Sequence, residues 1–337
     1  MQQRTTEVHG PFIEPQRHKS LIFIRAWGMD ASGQTELNRR LFWIPRLHLE
    51  SRGSASSRSL CALPSFFIIG PPRTGTSWLY EVMRQHTLLP WPTKETRFFD
   101  SHFHKGLDWY RSHYPVAVNE RRIGEVAPTY FASASAMDRI ANTIPDAKVV
   151  CIFRHPVERV VSLYKVKRAY GLIPWNFEEA MIRDPEMLQS SRYASRLKAW
   201  QDTFGQGQVL ATVYDDLCRD PQTFVDQIAD FIGATRFPLT MSQRLRIHAS
   251  EGMTHPWSYH TTRGASSIAD WCKAHRLDRL VAAIRNSPLK RIFLGGGSPF
   301  QDVPEQVLAK VSKLFDPEVD ELEILLQRNL SEWRTAD

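Results

Sequence analysis

From about residue 61 onward, short apolar runs alternate with longer segments of helical periodicity, a pattern that predicts an α/β domain. Three runs, Ser65–Ile69 (SFFII), Lys148–Phe153 (KVVCIF) and Gln208–Tyr214 (QVLATVY), are short, rich in β-branched or aromatic residues and nearly unbroken. Strands covered on both faces read this way, so the pattern predicts a central parallel sheet with helices on both faces. A weaker fourth strand is predicted at Arg122–Val126. One helix opens near Ser77 and puts Trp78, Leu79, Val82 and Met83 on one side. Another opens at Asp220-Pro221, an N-cap followed by proline at the first helical position, carries Phe224, Ile228 and Phe231, and stops at Gly233. The last opens the same way at Asp316-Pro317 and runs to about Leu330, with Val319, Leu322, Leu325 and Leu326 as its core stripe.

The first sixty residues do not share this rhythm. They hold one strand-like piece (Leu21–Trp27) and an apolar patch (Leu41–Leu47), then a Ser/Arg/Gly linker over 50–60. The expected organisation is an N-terminal extension over 1–60 and one main domain over 61–337. The longest uninterrupted apolar runs are only a few residues, far short of the ~20 needed to cross a bilayer, so no membrane span is expected. The first twenty residues contain no apolar signal segment, which points to a cytoplasmic protein. Four cysteines (Cys61, Cys151, Cys218 and Cys272) lie far apart without zinc-finger spacing and read as reduced thiols.

Lys and Arg number 43 against 36 Asp and Glu, a net charge of +7. Residues 1–60 carry nine of those bases and five of those acids, so the main domain is nearly neutral. Bulk charge therefore gives no reason to expect a nucleic-acid partner; a few arginines aimed at specific anionic groups fit better.

The most informative stretch is Phe66–Leu79, FFIIGPPRTGTSWL. A buried strand runs into Gly70, a tight loop and Gly75, then a helix N-terminus at Thr76 and Ser77. Such a junction aims backbone N–H groups and the positive end of a helix at one point, a P-loop-like anion site; the bland alternative is an ordinary Gly/Pro turn. The spacing from Gly70 to Gly75 fits the start of GxxxxGK[ST], yet Thr76 stands where that loop has lysine, and the cation, Arg73, sits inside the loop. A nucleotide kinase also needs a carboxylate for Mg²⁺, and KVVCIF instead ends in Arg154-His155-Pro156. Arg154, with Ser162 about two turns into the following helix, makes a second anion site. In a parallel sheet it would face the same crevice, unless it merely pairs with a carboxylate at the sheet end.

Together IGPPRTGTSW and CIFRHPVERVVSLY resemble the two nucleotide-binding motifs of sulfotransferases that use 3′-phosphoadenosine 5′-phosphosulfate (PAPS). The resemblance covers roughly 64–334. Lys94–Asp100 (KETRFFD) is similar to the KExHFFD element of the heparan-sulfate-type members, with Arg97 where His is usual, and Glu125–Phe131 (EVAPTYF) to their (E)KTPxYF stretch. Tyr193–Trp200, Val213–Pro221 and the closing FDPEVDELEILLQRNLSEW also match, the last as in bacterial members. The resemblance implies a P-loop-like three-layer fold. It implies that Arg73, Thr74, Gly75, Thr76 and Ser77 take the 5′-phosphosulfate, Arg154 and Ser162 the 3′-phosphate, and that Tyr193 contacts the nucleotide. It implies Glu95 as general base, with Lys94 beside it and Arg73 stabilising the departing phosphate, and no metal. Lys290–Gly297 (KRIFLGGG) stands where a cationic lid closes over the nucleotide.

Read from the residues alone, Glu95 is a carboxylate in a loop rich in aromatics (Trp91, Phe98, Phe99), suited to take an acceptor proton, or else it simply pairs with Lys94 or Arg97. His102, His104 and His113 lack a matched set of Cys or carboxylate ligands and are expected in the acceptor cleft rather than on a metal. Trp109, Tyr110 and Tyr114 read either as core or as an aromatic wall for the acceptor. The acceptor expected is a small molecule or carbohydrate with a hydroxyl or amine. The alternatives are a P-loop nucleotide kinase and a non-catalytic nucleotide-binding module.

Overall fold

The apolar runs of the sequence become the sheet. The computed structural model describes residues 63–114, 121–245, 253–274 and 296–334; the N-terminal extension, its linker, Lys290 and Arg291 lie outside the described residues. Strands β1 (Phe66–Ile68), β2 (Gly124–Val126), β3 (Lys148–Phe153) and β4 (Val209–Val213) lie in the order β2-β1-β3-β4, all parallel. Phe66 pairs with Gly124 on one side and Lys148 on the other, and Val149 pairs with Val209. The order of winding reverses between β1 and β3, so a crevice opens beyond their carboxyl ends.

The helices are α1 (Thr76–Met83), α2 (Gly106–Arg111), α3 (Ala134–Thr143), α4 (Pro156–Ala169), α5 (Phe177–Arg183), α6 (Glu186–Gln189), α7 (Ala194–Phe204), α8 (Tyr214–Arg219), α9 (Pro221–Ile232), α10 (Met241–Arg244), α11 (Tyr259–Ala274), α12 (Glu305–Lys313) and α13 (Asp316–Leu326). Strand residues alternate between two faces. Phe67, Val149, Cys151, Phe153, Val209 and Val213 pack against Ile140 of α3, Leu197 and Trp200 of α7, and Val319 and Leu322 of α13. Phe66, Ile68, Val126, Val150 and Ile152 pack against Leu79, Val82 and Met83 of α1 and Phe224, Val225, Ile228 and Ile232 of α9. Each large side chain so buried contributes about 1.5–3 kcal/mol. The molecule is the three-layer α/β arrangement its sequence predicts.

A third cluster joins Val157, Val160, Leu163 and Tyr164 of α4 to Phe177 and Ala180 of α5, Met187 of α6 and Val311 of α12. It fixes the helix that follows β3. No described helix is long and apolar enough to cross a membrane.

Local signals account for most helix ends. Asp220 accepts hydrogen bonds from the N–H groups of Gln222 and Thr223, and Gly233 ends α9 in the left-handed conformation. At α13 the expectation needs correction: the helix stops at Leu326, because Gln327 turns left-handed (φ 49°), and the residue at its N-cap is Phe315. A short antiparallel pair, β5 (Thr254–Pro256) and β6 (Gly296–Pro299), had no periodicity to announce it. Gly297 lies within β6, where a Cβ would come within 2.7 Å of the His255 carbonyl oxygen. Its glycine allows close backbone approach in a strand.

Candidate active site

Everything the two anion motifs contribute meets beyond the ends of β1 and β3. Gly70 lies so close to β3 that a Cβ would sit 2.7 Å from the Ile152 nitrogen. The chain then turns through Arg73, whose φ of 81° is unusual for a residue with a side chain, and Gly75 at φ 87°. Thr74 is buried and donates from Oγ1 to the Pro71 carbonyl (2.9 Å), closing the loop on itself. Gly75 is the N-cap of α1 and offers no capping side chain, so the first-turn amides of Thr76 and Ser77 stand at the mouth of the loop. Thr76 itself is buried and Ser77 exposed.

The second motif crosses directly to the first. Arg73 Nε donates to Ser162 Oγ at 3.0 Å, although 89 residues separate them. Ser162 lies on α4, opened by His155, whose Nδ1 accepts from the Val157 N–H, and by Pro156 at the first position. Arg154, at the end of β3, lies over the Tyr214 ring (4.8 Å) and pairs with Glu158 one turn into α4 (2.9 Å). That ion pair is the sheet-end arrangement weighed against an anion role, and Glu158 is exposed enough to leave Arg154 accessible from the crevice. Arg154 and Ser162 line a cavity of about 740 Å³ together with Lys165, Tyr214 and Phe300. Burial, and after it the neighbouring Arg154, push the Arg73 guanidinium below the usual arginine range. Among the described residues no carboxylate pairs with Arg73, so two cations crowd together with one counter-charge. Such a site suits a ligand with anionic groups at two points.

Lys94 and Glu95 arrive from the loop after α1. Lys94 Nζ lies 3.3 Å from Ser77 Oγ and 3.1 Å from Glu95 Oε1, bridging the phosphate loop to the candidate base. Burial holds the Lys94 ammonium below the usual lysine range, against the upward pull of Glu95. The pairing of Glu95 with Lys94 therefore exists, and it is part of the site rather than a solvated surface contact. Arg97 pairs instead with Asp100 (3.6 Å).

Tyr193 is placed differently from the expectation. It is fully buried, its ring 4.9 Å from that of Phe153, and its hydroxyl donates to the Arg154 carbonyl (3.0 Å). From there it supports the backbone at Arg154 and lies beside the Arg159 guanidinium. Tyr110 and Tyr114 are core residues and not an acceptor wall, while Trp109 is half-buried with His102 and His113 rings against it.

Three further contributors have no role assigned to them by the sequence. Tyr214 floors the site under Arg154 and touches the position a Gly75 Cβ would take (3.2 Å). Arg159, fully buried, donates to the Pro72 carbonyl (3.2 Å) in the phosphate loop and to Ser191 Oγ (2.6 Å) and Met187 O (2.9 Å) behind it. Glu125, fully buried on β2, accepts from Thr96, the neighbour of Glu95. An acidic residue inside a predicted strand and an arginine on the core side of a helix were the available signals.

A family model described as a sulfotransferase domain matches residues 63–264, more than half of the chain. The bifunctional heparan sulfate N-deacetylase/N-sulfotransferase 2 of Bos taurus is 30% identical over 213 residues, 56% of this chain and 24% of that protein. The corresponding enzyme 4 of Mus musculus is 31% identical over 196 residues, 51% of this chain and 22% of that protein. The chain thus spans about a quarter of the length of the curated relatives it matches. A sulfotransferase crystal structure from Alicyclobacillus acidocaldarius is similar in fold over 81% of this chain and 100% of its own, with a TM-score of 0.57 at 22% identity. A strand–loop–helix anion site joined to a second one across β3, with a matching family model over both, places the chain in the sulfotransferase family.

Proposed function

We propose that the donor is PAPS, that the acceptor is a carbohydrate carrying a hydroxyl or an amine, and that Glu95 is the general base. The observation that carries this reading is the Arg73–Ser162 contact, which joins the two anion sites, with Lys94 linking Ser77 to Glu95 beside the first. The 3′-phosphate falls to Arg154 and Ser162, and the 5′-phosphosulfate to Arg73, Thr74, Gly75, Thr76 and Ser77. The relatives named for heparan sulfate support a carbohydrate acceptor, and the amine option follows from their N-sulfotransferase names.

In the transfer step Glu95 takes the proton of the acceptor O–H or N–H. The acceptor atom forms its bond to sulfur while the bond from sulfur to the bridging phosphate oxygen breaks, in line. Adenosine 3′,5′-bisphosphate leaves, and the charge that grows on its 5′-phosphate meets Arg73 and the loop amides. Fixed cations supply the stabilisation that Mg²⁺ gives a kinase, and Arg154 occupies the place of the kinase's metal-binding carboxylate.

Calorimetric titration with adenosine 3′,5′-bisphosphate, with and without Mg²⁺ and with ATP as control, tests the donor. Metal-independent binding that disappears in Arg154→Ala is expected. Glu95→Gln should keep that binding while transfer from PAPS to de-N-sulfated heparan oligosaccharides falls about 10²–10⁴-fold. A preference for Mg·ATP, or no bisphosphate binding, overturns the reading in favour of the kinase.

A further inference from the structure

Glu125 is the middle residue of β2, and it is wholly buried with no cation beside it among the described residues. A β-branched apolar residue would serve the sheet better there, since an ionisable group taken out of water must be repaid by hydrogen bonds. The four bonds it receives show what it holds. Oε1 accepts from the Thr96 backbone N–H (2.9 Å) and from Thr96 Oγ1 (2.6 Å). Oε2 accepts from the Tyr110 hydroxyl (2.7 Å) and the Tyr130 hydroxyl (3.3 Å), and Tyr114 donates to Tyr110 (2.9 Å). The tyrosines come from α2, the turn after it and the turn following β2, so they form a rigid cup around the carboxylate. The one partner that belongs to an irregular loop is Thr96.

Thr96 is the residue after Glu95. Its Oγ1 also accepts from the Phe98 N–H (3.1 Å), and Tyr130 accepts from the Phe99 N–H (3.3 Å), so the chain is pinned for several residues beyond the candidate base. On the other side Lys94 is tied to Ser77 in the phosphate loop. Glu95 therefore hangs between two anchors, one on the nucleotide side and one in the core.

We infer that Glu125 is a positioning residue for sulfuryl transfer: through its paired bonds to Thr96 it sets the loop that carries Lys94 and Glu95 against the phosphate loop. This rests on the proposed role of Glu95, and it assigns to the buried carboxylate a task in the reaction beyond holding the sheet. It touches neither donor nor acceptor. Thr96 is the transmitting residue, because it alone connects the cup to the base by a single peptide bond.

The test uses the full chain and two readouts that do not require the natural acceptor: sulfate released from PAPS to water, and amide hydrogen exchange over 93–98. Thr96→Val, which removes the hydroxyl at constant shape, and Glu125→Gln should each raise exchange in that loop and cut sulfate release at least tenfold. The affinity for adenosine 3′,5′-bisphosphate should stay within twofold of the parent. Thr96→Ser should restore both readouts. If exchange and release match the parent in both variants, or if exchange rises throughout the sheet rather than in the loop, the positioning role is overturned. Glu95→Gln separates this from the base assignment. Release that persists in Glu95→Gln while the Thr96 and Glu125 variants still loosen the loop removes the base but leaves the clamp. Release lost in Glu95→Gln with a loop unmoved by the other variants removes the clamp but leaves the base.

Discussion

Arg154 and Arg159 stand five positions apart, one just before α4 and the other in its first turn, and do different work, because one reaches water and the other does not. Arg154 shares its charge with an exposed Glu158 and with the Tyr214 ring. Arg159 forms no ion pair with a carboxylate among the described residues; its guanidinium spends its donors on Ser190 Oγ, Ser191 Oγ, Met187 O and Pro72 O. Burial pushes it below the usual arginine range, and the adjacent Tyr193 pulls the other way. A planar fork can reach four acceptors in different directions; an ammonium cannot. Arg159→Lys should therefore strand several buried acceptors and cost about 2–4 kcal/mol in urea unfolding, while the freed Pro72 carbonyl weakens bisphosphate binding in the folded fraction. Arg154→Ala should change stability by no more than about 1 kcal/mol, since its partner Glu158 is exposed, yet abolish that binding. Equal stability losses in the two variants would contradict the division of labour.

At the scale of elements, the strand–loop–helix unit works only because its two glycines let other elements come close. A methyl at Gly70 would strike backbone, 2.7 Å from Ile152 N and 2.9 Å from Ile152 O, so β1 and β3 would have to separate. A methyl at Gly75 would meet Leu217 Cδ2 at 2.8 Å and the Tyr214 ring at 3.2 Å, at a φ of 87° that disfavours any side chain. Gly70→Ala should thus destabilise by about 2–4 kcal/mol. Gly75→Ala should cost about 1–3 kcal/mol of backbone strain and displace Tyr214, with a larger loss of bisphosphate affinity than of stability. Thermal unfolding beside calorimetry checks both; a Gly75→Ala variant with parental affinity would show that Tyr214 does not floor the site. These elements were legible in the sequence because each carries its own local signal. Apolar runs gave the strands, Asp220 and Gly233 bounded α9, and the Gly70–Gly75 spacing marked the loop. What was not legible depends on contacts across the chain. Arg159 meets Pro72 over 87 residues and Glu125 meets Thr96 over 29, and neither helical nor strand periodicity says which distant group a buried polar side chain will face. The motif that places Tyr193 near the nucleotide does not tell that its ring is buried and its hydroxyl bonds the Arg154 carbonyl. The early end of α13 has the same origin: Arg328 leaves the helix to pair with Asp216 on α8, a choice made by tertiary charge and not by local propensity.

For the whole molecule, Glu125 couples folding to pH in a direction opposite to that of most carboxylates. Burial raises its carboxyl from 4.5 to about 7, against the downward pull of its bonds to Thr96, Tyr110 and Tyr130. The groups that face it are Thr96 and the hydroxyls of Tyr110, Tyr114 and Tyr130, whose ionisations burial pushes far upward, so among the described residues no charge meets it at neutral pH. Between pH 4.5 and about 7 the folded chain holds a proton that the unfolded chain releases, so stability falls as pH rises through that window and levels off above it. At about 1.4 kcal/mol per pH unit the full span is on the order of 3 kcal/mol. The histidines oppose this trend. Burial lowers His86, His102, His155 and His255 from 6.5, so the unfolded chain binds protons the folded chain lacks, and stability rises with pH until 6.5 is passed. The two trends overlap, so a single pH curve cannot isolate either, but the difference between the parent and Glu125→Gln can. That difference should shift against the parent by up to about 3 kcal/mol between pH 4.5 and 7 and stay level on either side. Urea unfolding at half-unit steps measures it, and a flat difference would mean that Glu125 titrates in the ordinary carboxylate range. The same proton bears on the reaction. A proton on the Glu125 oxygen that Thr96 uses displaces the bond from Thr96 Oγ1, and the hold on the Glu95 loop slackens. Folding favours the protonated carboxyl, and the positioning of the base favours the ionised one. The pH at which transfer rises should therefore coincide with the pH at which the stability difference becomes level.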